Sequence, residues 1–334
     1  MNIEVITTAD NTLKKSGFGS HSSCADIVES MQRAGNSVRL TVCEVMDDLL
    51  AVVARTPDLV VLAEKFMVIN ETEILWFSEY FARHKITFSG SDRETLKFDS
   101  DKASAKLHLA NMRIKTARHF TALPKQFVSQ SSLPLAFPVF IKSIDANNNN
   151  GIDEFSYVSD FDEFEAKVLS IYTQNEQAAL VEEYLPGRDF TVAIICNSSG
   201  EMTVSAMEVL RQGNQRPTAD ECIQVENPND LHSVNELAKA AFLGLGLRDF
   251  ALIDVKMNIY GQCFFMDANL VPNMATASSD FLRASVIAND LTYDQVICLM
   301  LEVFAVRTRG ERIHNKVLTQ RNLHWPRASV SKLL

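Results

Sequence analysis

The stretch FFMDANLVPNM, residues 264–274, places an acid and an amide two residues apart in an otherwise apolar strand. Successive side chains of a strand alternate between its two faces, so Asp267 and Asn269 are expected to share one face. Two oxygen donors then point at one spot just before Pro272. Taken alone, such a stretch is more often a strand end that carries two solvated polar residues before a proline turn, and the surrounding sequence has to decide.

The neighbouring sequence adds a third oxygen donor. FALIDVKMNI and QCFFMDAN are joined by Tyr260-Gly261, and a connection this short predicts an antiparallel hairpin. If the hairpin brings Asp254 beside Asp267 and Asn269, three hard oxygen donors converge, as Mg²⁺ requires when a nucleotide supplies its remaining ligands. A purely structural hairpin does not normally bury two acids on a sheet face, because unpaired buried carboxylates are costly.

Composition limits the class of protein. A chain of 334 residues with 46% apolar residues is typical of a globular protein with two or three domains. A net charge of -10 disfavours nucleic acid and anionic membranes as partners. The six cysteines show no pairing rhythm, which favours a reducing compartment. No membrane-spanning run and no N-terminal leader pattern is found, so the sequence predicts a cytoplasmic protein.

The order of patterns predicts three domains and a tail. Residues 1–90 alternate strands and a helix, which indicates an α/β domain, and residues 91–180 begin with one long charged helix followed by an apolar strand. Residues 181–306 hold several strands and a helix, which indicates an α+β domain with a substantial sheet. The tail, 307–334, carries seven Lys or Arg against one acid and is expected to be solvated.

Two lysines are candidates for phosphate binding. Lys142 ends the apolar strand FPVFIK beside a loop of four asparagines and Gly151, and Lys102 lies in the helix DSDKASAK. A lysine at the end of a buried strand is well placed for a phosphate, although either lysine is also compatible with a solvated position. Further along, Asp189 follows a Pro-Gly turn where a ribose hydroxyl could bind. The chain has no Gly-rich phosphate-binding motif, so a nucleotide would be held in another way.

Together these motifs resemble a known fold. The order of Lys102, FPVFIKS, a polar loop ending in glycine, LVEEYLPGRDFTV, LIDVKM and FFMDANLVPNM resembles the ATP-grasp fold and, within it, the D-alanine–D-alanine ligase family. The resemblance follows the domain order over residues 1–305 and is specific over 138–300. It implies a three-domain ATP-grasp fold with an N-terminal α/β domain for substrate, a central lid domain and a C-terminal catalytic sheet domain.

The resemblance also implies roles for individual residues. ATP and Mg²⁺ are the implied cofactors, with two metal ions expected and Mn²⁺ as a substitute. Asp254, Asp267 and Asn269 would bind the metal, and Lys102 and Lys142 the phosphates. The residues implied in binding the nucleotide are, in full, Lys102, Lys142, Glu182, Glu183, Leu185 and Asp189, with Glu182 and Leu185 flanking the adenine and Asp189 at the ribose.

The chain departs from the family at the lid and near the reacting atoms. The family's Gly-Ser-Ser-rich loop corresponds here to Asn147–Gly151, which is expected to close as a mobile, amide-bearing lid. The family's arginine two residues before the first metal acid is Leu252. Lys256, on the same strand face, is a candidate to replace that cation at the developing oxyanion, or else points to solvent. Ser278 is a candidate hydrogen-bond partner of the substrate.

The first domain departs further, which bears on the substrate. The family's His-Gly-x-x-Gly-Glu-Asp-Gly stretch corresponds to AEKFMVIN, residues 63–70, and its early Glu-Val-Ser motif has no counterpart in SGFGSHSS, residues 16–23. We therefore expect an ATP-dependent carboxylate–amine ligase whose small-molecule substrates are not two D-alanines. A true D-alanine–D-alanine ligase and a nucleotide-binding pseudoenzyme or partner subunit are the alternatives. By analogy with related ligases, a homodimer is also possible.

Overall fold

The structure is a computed structural model that describes residues 1–9, 17–70, 73–144, 152–210, 221–276 and 278–322, with only the backbone for 308–322. The strands, in chain order, are β1 (Asn2–Thr7), β2 (Ser37–Val42), β3 (Leu59–Leu62), β4 (Phe66–Ile69), β5 (Glu73–Trp76), β6 (His119–Ala122), β7 (Val139–Ser143), β8 (Tyr157–Val158), β9 (Ala179–Glu183), β10 (Gly187–Cys196), β11 (Met202–Val209), β12 (Cys222–Gln224), β13 (Asp249–Asn258) and β14 (Cys263–Asn269). The helices are α1 (His21–Arg33), α2 (Met46–Ala54), α3 (Phe77–Arg83), α4 (Arg93–Ser100), α5 (Lys102–Asn111), α6 (Phe161–Asn175), α7 (Pro228–Gly244), α8 (Asp280–Asn289) and α9 (Tyr293–Asn322).

The first part of the chain forms the expected α/β layer. Its sheet is parallel in the order β2-β1-β3, and the chain passes through α1 and α2 between the strands. Five of the six residues of β1 are buried, because a central parallel strand is covered on both faces. The hairpin of β4 and β5 follows β3, and β4 lies within the stretch 63–70, where the sequence departs from the family pattern.

The charged helix predicted after residue 91 is two helices. Asp101 leaves helical geometry, with φ −132° and ψ 86°, and its carboxylate accepts a hydrogen bond from the Ser104 backbone N–H at 2.9 Å. Asp101 therefore caps α5 at its N-terminus, where an aspartate side chain satisfies a backbone donor that lacks an intrahelical partner. Lys102 becomes the first residue of α5, which fixes where its side chain starts.

Two antiparallel sheets form the rest of the fold. The four-stranded sheet has the order β6-β9-β7-β8 and packs against α6, and the five-stranded sheet has the order β12-β11-β10-β13-β14. The predicted hairpin of β13 and β14 is confirmed, with Asp254 directly opposite Asp267. The predicted boundary between residues 180 and 181 falls inside β9, which belongs to the four-stranded sheet.

The start of the predicted basic tail belongs to a helix. α9 continues to Asn322, so the boundary expected between residues 306 and 307 falls inside it. Arg307 is nearly buried and its guanidinium donates to both carboxylate oxygens of Asp249, at 2.9 and 2.8 Å. This ion pair ties α9 to the start of β13, while residues 323–334 lie outside the described part of the chain.

Apolar packing explains how the sheets are held. One face of the parallel sheet shares a continuous core with the five-stranded sheet and α9, including Val5, Phe190 and Phe304. The four-stranded sheet has a separate core with α6, around Ile141 and Phe164. Within the described ranges, no helix has both the length and the apolar character that crossing a membrane would require.

Candidate active site

A cavity of about 370 Å³ lies where the four-stranded sheet meets the five-stranded sheet. One part of its wall is apolar and aromatic, formed by Phe140, Ile152, Tyr157, Tyr184, Leu185 and Met266. The rings of Tyr157 and Tyr184 pack edge to face, with their centroids 4.8 Å apart. The remaining charged part is lined by Lys102, Lys142, Lys256, Asp189, Asp254 and Asp267. A cavity with an apolar end and a charged end fits a ligand that combines an aromatic base with phosphates.

The acids of the β13–β14 hairpin form one side of the charged end. Asp254 and Asp267 are register partners at a bulge between Asp254 and Val255, and both line the cavity. Directly opposite residues in an antiparallel pair have Cβ atoms about 5 Å apart, so the two carboxylates can reach a common ligand. Thr191 on β10 donates its hydroxyl hydrogen to Asp254 Oδ1 at 2.8 Å, which orients that carboxylate.

Asn269, the third predicted metal ligand, ends β14 and is absent from the described lining of the cavity. It lies opposite Leu252, and its side-chain oxygen accepts a hydrogen bond from the Val271 N–H at 3.1 Å. Within the described ranges, no group of three or more His, Cys, Asp or Glu side chains is arranged to hold a metal, so the set consists of two acids and an amide. Hard oxygen donors of this kind fit Mg²⁺ when a nucleotide supplies further oxygens.

The ammonium group of Lys102 lies beside one of the predicted metal ligands, Asp267. Lys102 Nζ lies 2.5 Å from Asp267 Oδ2, although only 4% of the lysine side chain is exposed. Burial is the largest single effect and disfavours the charged ammonium, but the carboxylates of Asp267, Glu182 and Asp254 together outweigh it and raise the pKa of Lys102. The Asp267 carboxylate therefore attracts a cation in this structure, which supports the fit of the site to a metal.

Lys142 points into the cavity from a buried ion cluster that the sequence did not reveal. Lys142 Nζ lies 3.0 Å from Glu182 Oε2, and Lys106 Nζ lies 2.7 Å from Glu182 Oε1. Lys106 also donates to the Phe265 carbonyl at 3.2 Å. Burial opposes the Glu182 charge, yet the two lysines lower the pKa of Glu182 to about 2. The cluster is therefore a carboxylate held between two ammonium groups.

This geometry changes the expectation for Glu182 and Glu183. Glu182 is fully buried and absent from the described lining of the cavity, so its carboxylate supports Lys142 instead of flanking an adenine. Glu183 is held by Arg118, whose backbone N–H and Nε donate to it at 2.8 and 2.7 Å. Leu185, by contrast, does line the apolar part of the cavity, as expected for a residue beside a base.

Lys256 lies at a different place from the one expected. It is opposite Asp189 on β10, and its ammonium contacts both Asp189 carboxylate oxygens, at 3.0 and 2.9 Å. Leu252, where the family has its arginine, is four residues away along β13, or about 13 Å. The two positions flank Asp254 on opposite sides, so the position of Lys256 does not support its expected replacement of that arginine. Asp189 lines the cavity where a ribose was expected.

Ser278 lies beyond the β14 strand, near the first part of the chain. Its hydroxyl accepts a hydrogen bond from Asn273 Nδ2 at 3.2 Å, and it is absent from the described lining of the cavity. Asn273 packs directly against Gly19, because a Cβ added to this glycine would lie only 2.5 Å from Asn273 Oδ1. The predicted lid, Asn147–Gly151, lies outside the described residues.

Sequence reasoning missed several residues that had a local signal. Lys106 follows Lys102 by four residues in α5, and residues at this spacing share a helix face. Phe140 shares a strand face with Lys142 by alternation, and Thr191 shares one with Asp189. Each could have been proposed as a neighbour of a residue already identified. Which of these faces met the cavity, however, depended on packing between the sheets.

Comparison with known proteins agrees with this architecture. The profile of the family described as D-ala D-ala ligase C-terminus matches residues 102–302, more than half of the chain. The D-alanine–D-alanine ligase of Thermotoga sp. is 25% identical over 187 residues, covering 53% of this chain and 59% of the relative. The "Uncharacterized protein y4sG" of Sinorhizobium fredii is 27% identical over 199 residues, covering 55% and 57%. The chain thus spans less than two thirds of the length of these relatives.

A solved structure extends the likeness to nearly the whole chain. The crystal structure of D-alanine–D-alanine ligase from Bacillus anthracis complexed with ATP has a TM-score of 0.72 at 19% identity, covering 93% of this chain and 99% of that one. At this identity the likeness shows the fold, and it confirms the expected combination of α/β and α+β layers. With the family match over residues 102–302, the chain belongs to the D-alanine–D-alanine ligase-like family of ATP-grasp proteins.

Proposed function

We propose that this protein is an ATP-dependent carboxylate–amine ligase that forms an amide bond and releases ADP and phosphate. One observation carries the proposal: Asp254 and Asp267 line the same cavity as Lys102 and Lys142, next to an apolar wall. Acids for a divalent cation and ammonium groups for phosphates therefore line one cavity together with an apolar wall that could receive a base. The likeness to a ligase crystallised with ATP supports the same conclusion.

The ion pairs of the cavity indicate how a nucleotide would be received. Lys102 is held by Asp267, Lys142 by Glu182, and Lys256 by Asp189. An arriving phosphate competes for the Lys102 ammonium, which makes the Asp267 oxygens available. Asp254, Asp267 and Asn269 would hold Mg²⁺, which neutralises phosphate charge when bound. We propose that two ions bind and that Mn²⁺ can substitute for Mg²⁺. Asp189 with Lys256 would receive the ribose.

The proposed reaction has two steps. A substrate carboxylate oxygen attacks the γ-phosphorus of ATP, and the bond to the β-phosphate oxygen breaks, giving an acyl phosphate and ADP. The amine of the second substrate then attacks the acyl carbon, loses a proton, and expels phosphate as the amide forms. The protein contributes position and charge instead of a nucleophile, because ordered reactants and fixed cations lower the barrier. Lys142, fixed by Glu182, is a fixed cation of this kind.

The substrates are proposed to be small molecules other than two D-alanines. Residues 17–23 carry serines and a histidine and no carboxylate that could bind an ammonium. Ser20 Oγ lies 2.8 Å from both Ser22 Oγ and Ser23 Oγ, and His21 Nε2 lies 2.7 Å from the Thr8 carbonyl. Leu252 also removes a cation that could fix an acceptor carboxylate. We also propose that the protein is cytoplasmic and forms a homodimer, and light scattering tests the homodimer.

A substrate screen tests this proposal. Pools of carboxylic acids are combined with pools of amino acids and amines, phosphate release is measured with ATP and Mg²⁺, and products are identified by mass spectrometry. We expect turnover with an acid–amine pair and poor turnover with D-alanine alone. Efficient dimerisation of D-alanine would identify a true D-alanine–D-alanine ligase, and ATP binding without any turnover would identify a nucleotide-binding pseudoenzyme. A protein that binds no ATP contradicts the proposal altogether.

A further inference from the structure

A buried ion pair lies behind the metal-binding hairpin and has no place in the reaction described above. Asp99, near the end of α4, is 1% exposed, and its Oδ1 accepts a hydrogen bond from the Leu270 N–H at 3.0 Å. Its other oxygen, Oδ2, contacts the ammonium of Lys65, which is 4% exposed. A carboxylate as deeply buried as this is costly unless it is paired, so the pair and its acceptor bond form one unit.

The Asp99–Lys65 pair contacts the residue next to a predicted metal ligand. Leu270 directly follows Asn269, and the other side of Asn269 is held as well, because Lys102 contacts Asp267. The α4–α5 junction therefore contacts the end of β14 twice, from Asp99 and from Lys102, and the two contacts bracket Asn269. On one side, Asp99 holds the Leu270 backbone and is absent from the described lining of the cavity. On the other side, Lys102, which lines the cavity, contacts the Asp267 side chain.

The cation of the unit comes from the first part of the chain. Lys65 follows β3, within the AEKFMVIN stretch that departs from the family pattern. Two residues before Lys65, the Ala63 carbonyl accepts a hydrogen bond from the Phe18 N–H at 2.9 Å, and the Phe18 carbonyl accepts one from the Met274 N–H at 3.0 Å. The end of β3 thus reaches the segment after β14 by two routes, one of them through Phe18.

We propose that Asp99 is a positioning residue for the metal site and that Lys65 is the partner that keeps its carboxylate in place. This inference rests on the proposed function, because it assigns Asn269 to Mg²⁺. Asp99 fixes the Leu270 backbone, which in turn sets where the Asn269 side chain starts. Groups that orient a metal ligand without touching the metal typically change metal affinity by about 10- to 100-fold when they are removed.

Two double variants separate the acceptor bond from the charges. Lys65→Met with Asp99→Leu removes both charges and the acceptor, so no buried charge is left without its partner. Lys65→Met with Asp99→Asn removes both charges but keeps an oxygen for the Leu270 N–H. Binding of Mn²⁺ to the protein with a non-hydrolysable ATP analogue is measured by calorimetry, and binding of the analogue alone is measured in EDTA. The first variant is expected to bind Mn²⁺ about tenfold more weakly, and the second within about threefold of wild type.

A matched control lies at the first residue of β13. Asp249 Oδ2 accepts the Gly90 N–H at 2.8 Å and pairs with Arg307, which is the same arrangement of acceptor and cation. Asp249→Leu with Arg307→Met should leave Mn²⁺ affinity within about twofold of wild type. The reason is that the Asp249–Arg307 pair holds the Gly90 backbone and no predicted metal ligand. If the Asp99→Leu variant does not fold, Lys65→Met with Asp99→Ala is compared with Asp249→Ala with Arg307→Met, and only the former, which removes the acceptor for the Leu270 N–H, should weaken Mn²⁺ binding.

The outcomes are distinguishable. Weaker Mn²⁺ binding in the Asp99→Leu variant, with unchanged binding of the analogue in EDTA and an unaffected control, supports the inference. Normal Mn²⁺ binding in both Asp99 variants overturns it while leaving the proposed function intact, as does an equal loss in the Asp249 control. Wild-type protein that takes up no Mn²⁺ with the nucleotide analogue overturns the proposed function and the inference together.

Discussion

At the scale of single residues, the candidate site is a set of charges that neutralise one another. Three lysines line the cavity, and each contacts a different carboxylate: Lys102 with Asp267, Lys142 with Glu182, and Lys256 with Asp189. Removing one partner leaves the other charge partly or fully buried without an opposite charge beside it, which is costly. Substitutions at these positions are therefore expected to change ligand binding and stability together, and matched controls are needed to separate the two effects.

The predicted metal ligands can be tested with a double variant. Asp267→Asn together with Asn269→Ala removes oxygen ligands and should abolish turnover, because phosphate charge is left uncompensated at the transferring centre. Phosphate release measures turnover, and circular dichroism verifies that the fold is kept. Asn229→Ala, at the exposed start of α7, is a control that should leave turnover unchanged. Unchanged turnover in the double variant would remove the metal assignment.

Lys142 should be important for nucleotide binding. Lys142→Ala is expected to weaken ATP binding by about tenfold or more, since a buried ammonium next to phosphates is lost. Because Lys142 is buried and paired with Glu182, the variant should also lose about 1.5–3 kcal/mol of stability. Lys167→Ala is the control, because Lys167 is equally buried and pairs with Asp153 away from the cavity lining. Equal ATP affinity of Lys142→Ala and wild type in calorimetry would contradict the assignment.

The buried Glu182 predicts a pH dependence of stability. Its pKa is about 2 in the folded protein, against an ordinary value above 4, so its contribution is present above about pH 4.5 and is lost as the pH falls toward 2. The contribution is on the order of 3 kcal/mol at neutral pH. Urea unfolding of wild type and Glu182→Gln should give a difference that shrinks between pH 5 and pH 2.5. A difference that stays constant over this range would contradict the ion cluster.

At the scale of elements, the junction between α4 and α5 sets the geometry of the charged end. Asp101 ends one helix and caps the next, so that Lys102 begins α5 and reaches Asp267. Sequence periodicity predicts one continuous helix here, because both helices share a charged surface. The break comes from the cap, whose effect depends on a side chain accepting a backbone N–H.

This cap should affect both stability and nucleotide binding. Asp101→Ala removes the acceptor for the Ser104 N–H and should cost about 1 kcal/mol. Since Lys102 is the next residue, ATP binding should weaken as well. Asp160→Ala at the start of α6 removes an equivalent cap on the Glu163 N–H and should cost similar stability without affecting ATP. Urea unfolding and calorimetry measure the two effects, and equal ATP affinities in the two variants would contradict the role given to the junction.

At the scale of the whole molecule, the cavity lies between two bodies with separate cores. The core around Ile141 and Phe164 belongs to the four-stranded sheet, while the larger core joins the parallel sheet to the five-stranded sheet. A ligand in the cavity contacts strands of both antiparallel sheets. Nucleotide binding is therefore expected to couple parts of the molecule that otherwise pack largely within themselves.

Ligand-dependent stabilisation tests this arrangement. An ATP analogue with Mg²⁺, at 100 times its dissociation constant, should stabilise the folded protein by about 2.7 kcal/mol and raise its Tm. The Asp267→Asn and Asn269→Ala double variant should show a smaller rise at the same concentrations, because it holds the metal less well. Scanning calorimetry makes the measurement. An absent shift in wild type would mean that the cavity does not bind the nucleotide.

Local patterns in the sequence were sufficient for much of this site. Two-residue alternation predicted that Asp267 and Asn269 share one face of a strand. The short turn at residues 260–261 predicted the hairpin, and in the structure this hairpin places Asp254 opposite Asp267. These features depend on neighbours within a few residues of each other. The order of motifs along the chain was likewise enough to identify the family, since that order is a property of the sequence itself.

Only the tertiary structure decided which charges meet. Glu182 lies between Lys106 and Lys142, Lys256 pairs with Asp189, and Lys65 reaches Asp99. Each of these contacts joins different elements, and periodicity shows which face a side chain occupies but not what covers that face. The partners are chosen by how the sheets and helices pack, because a buried charge must find an opposite charge wherever packing places one.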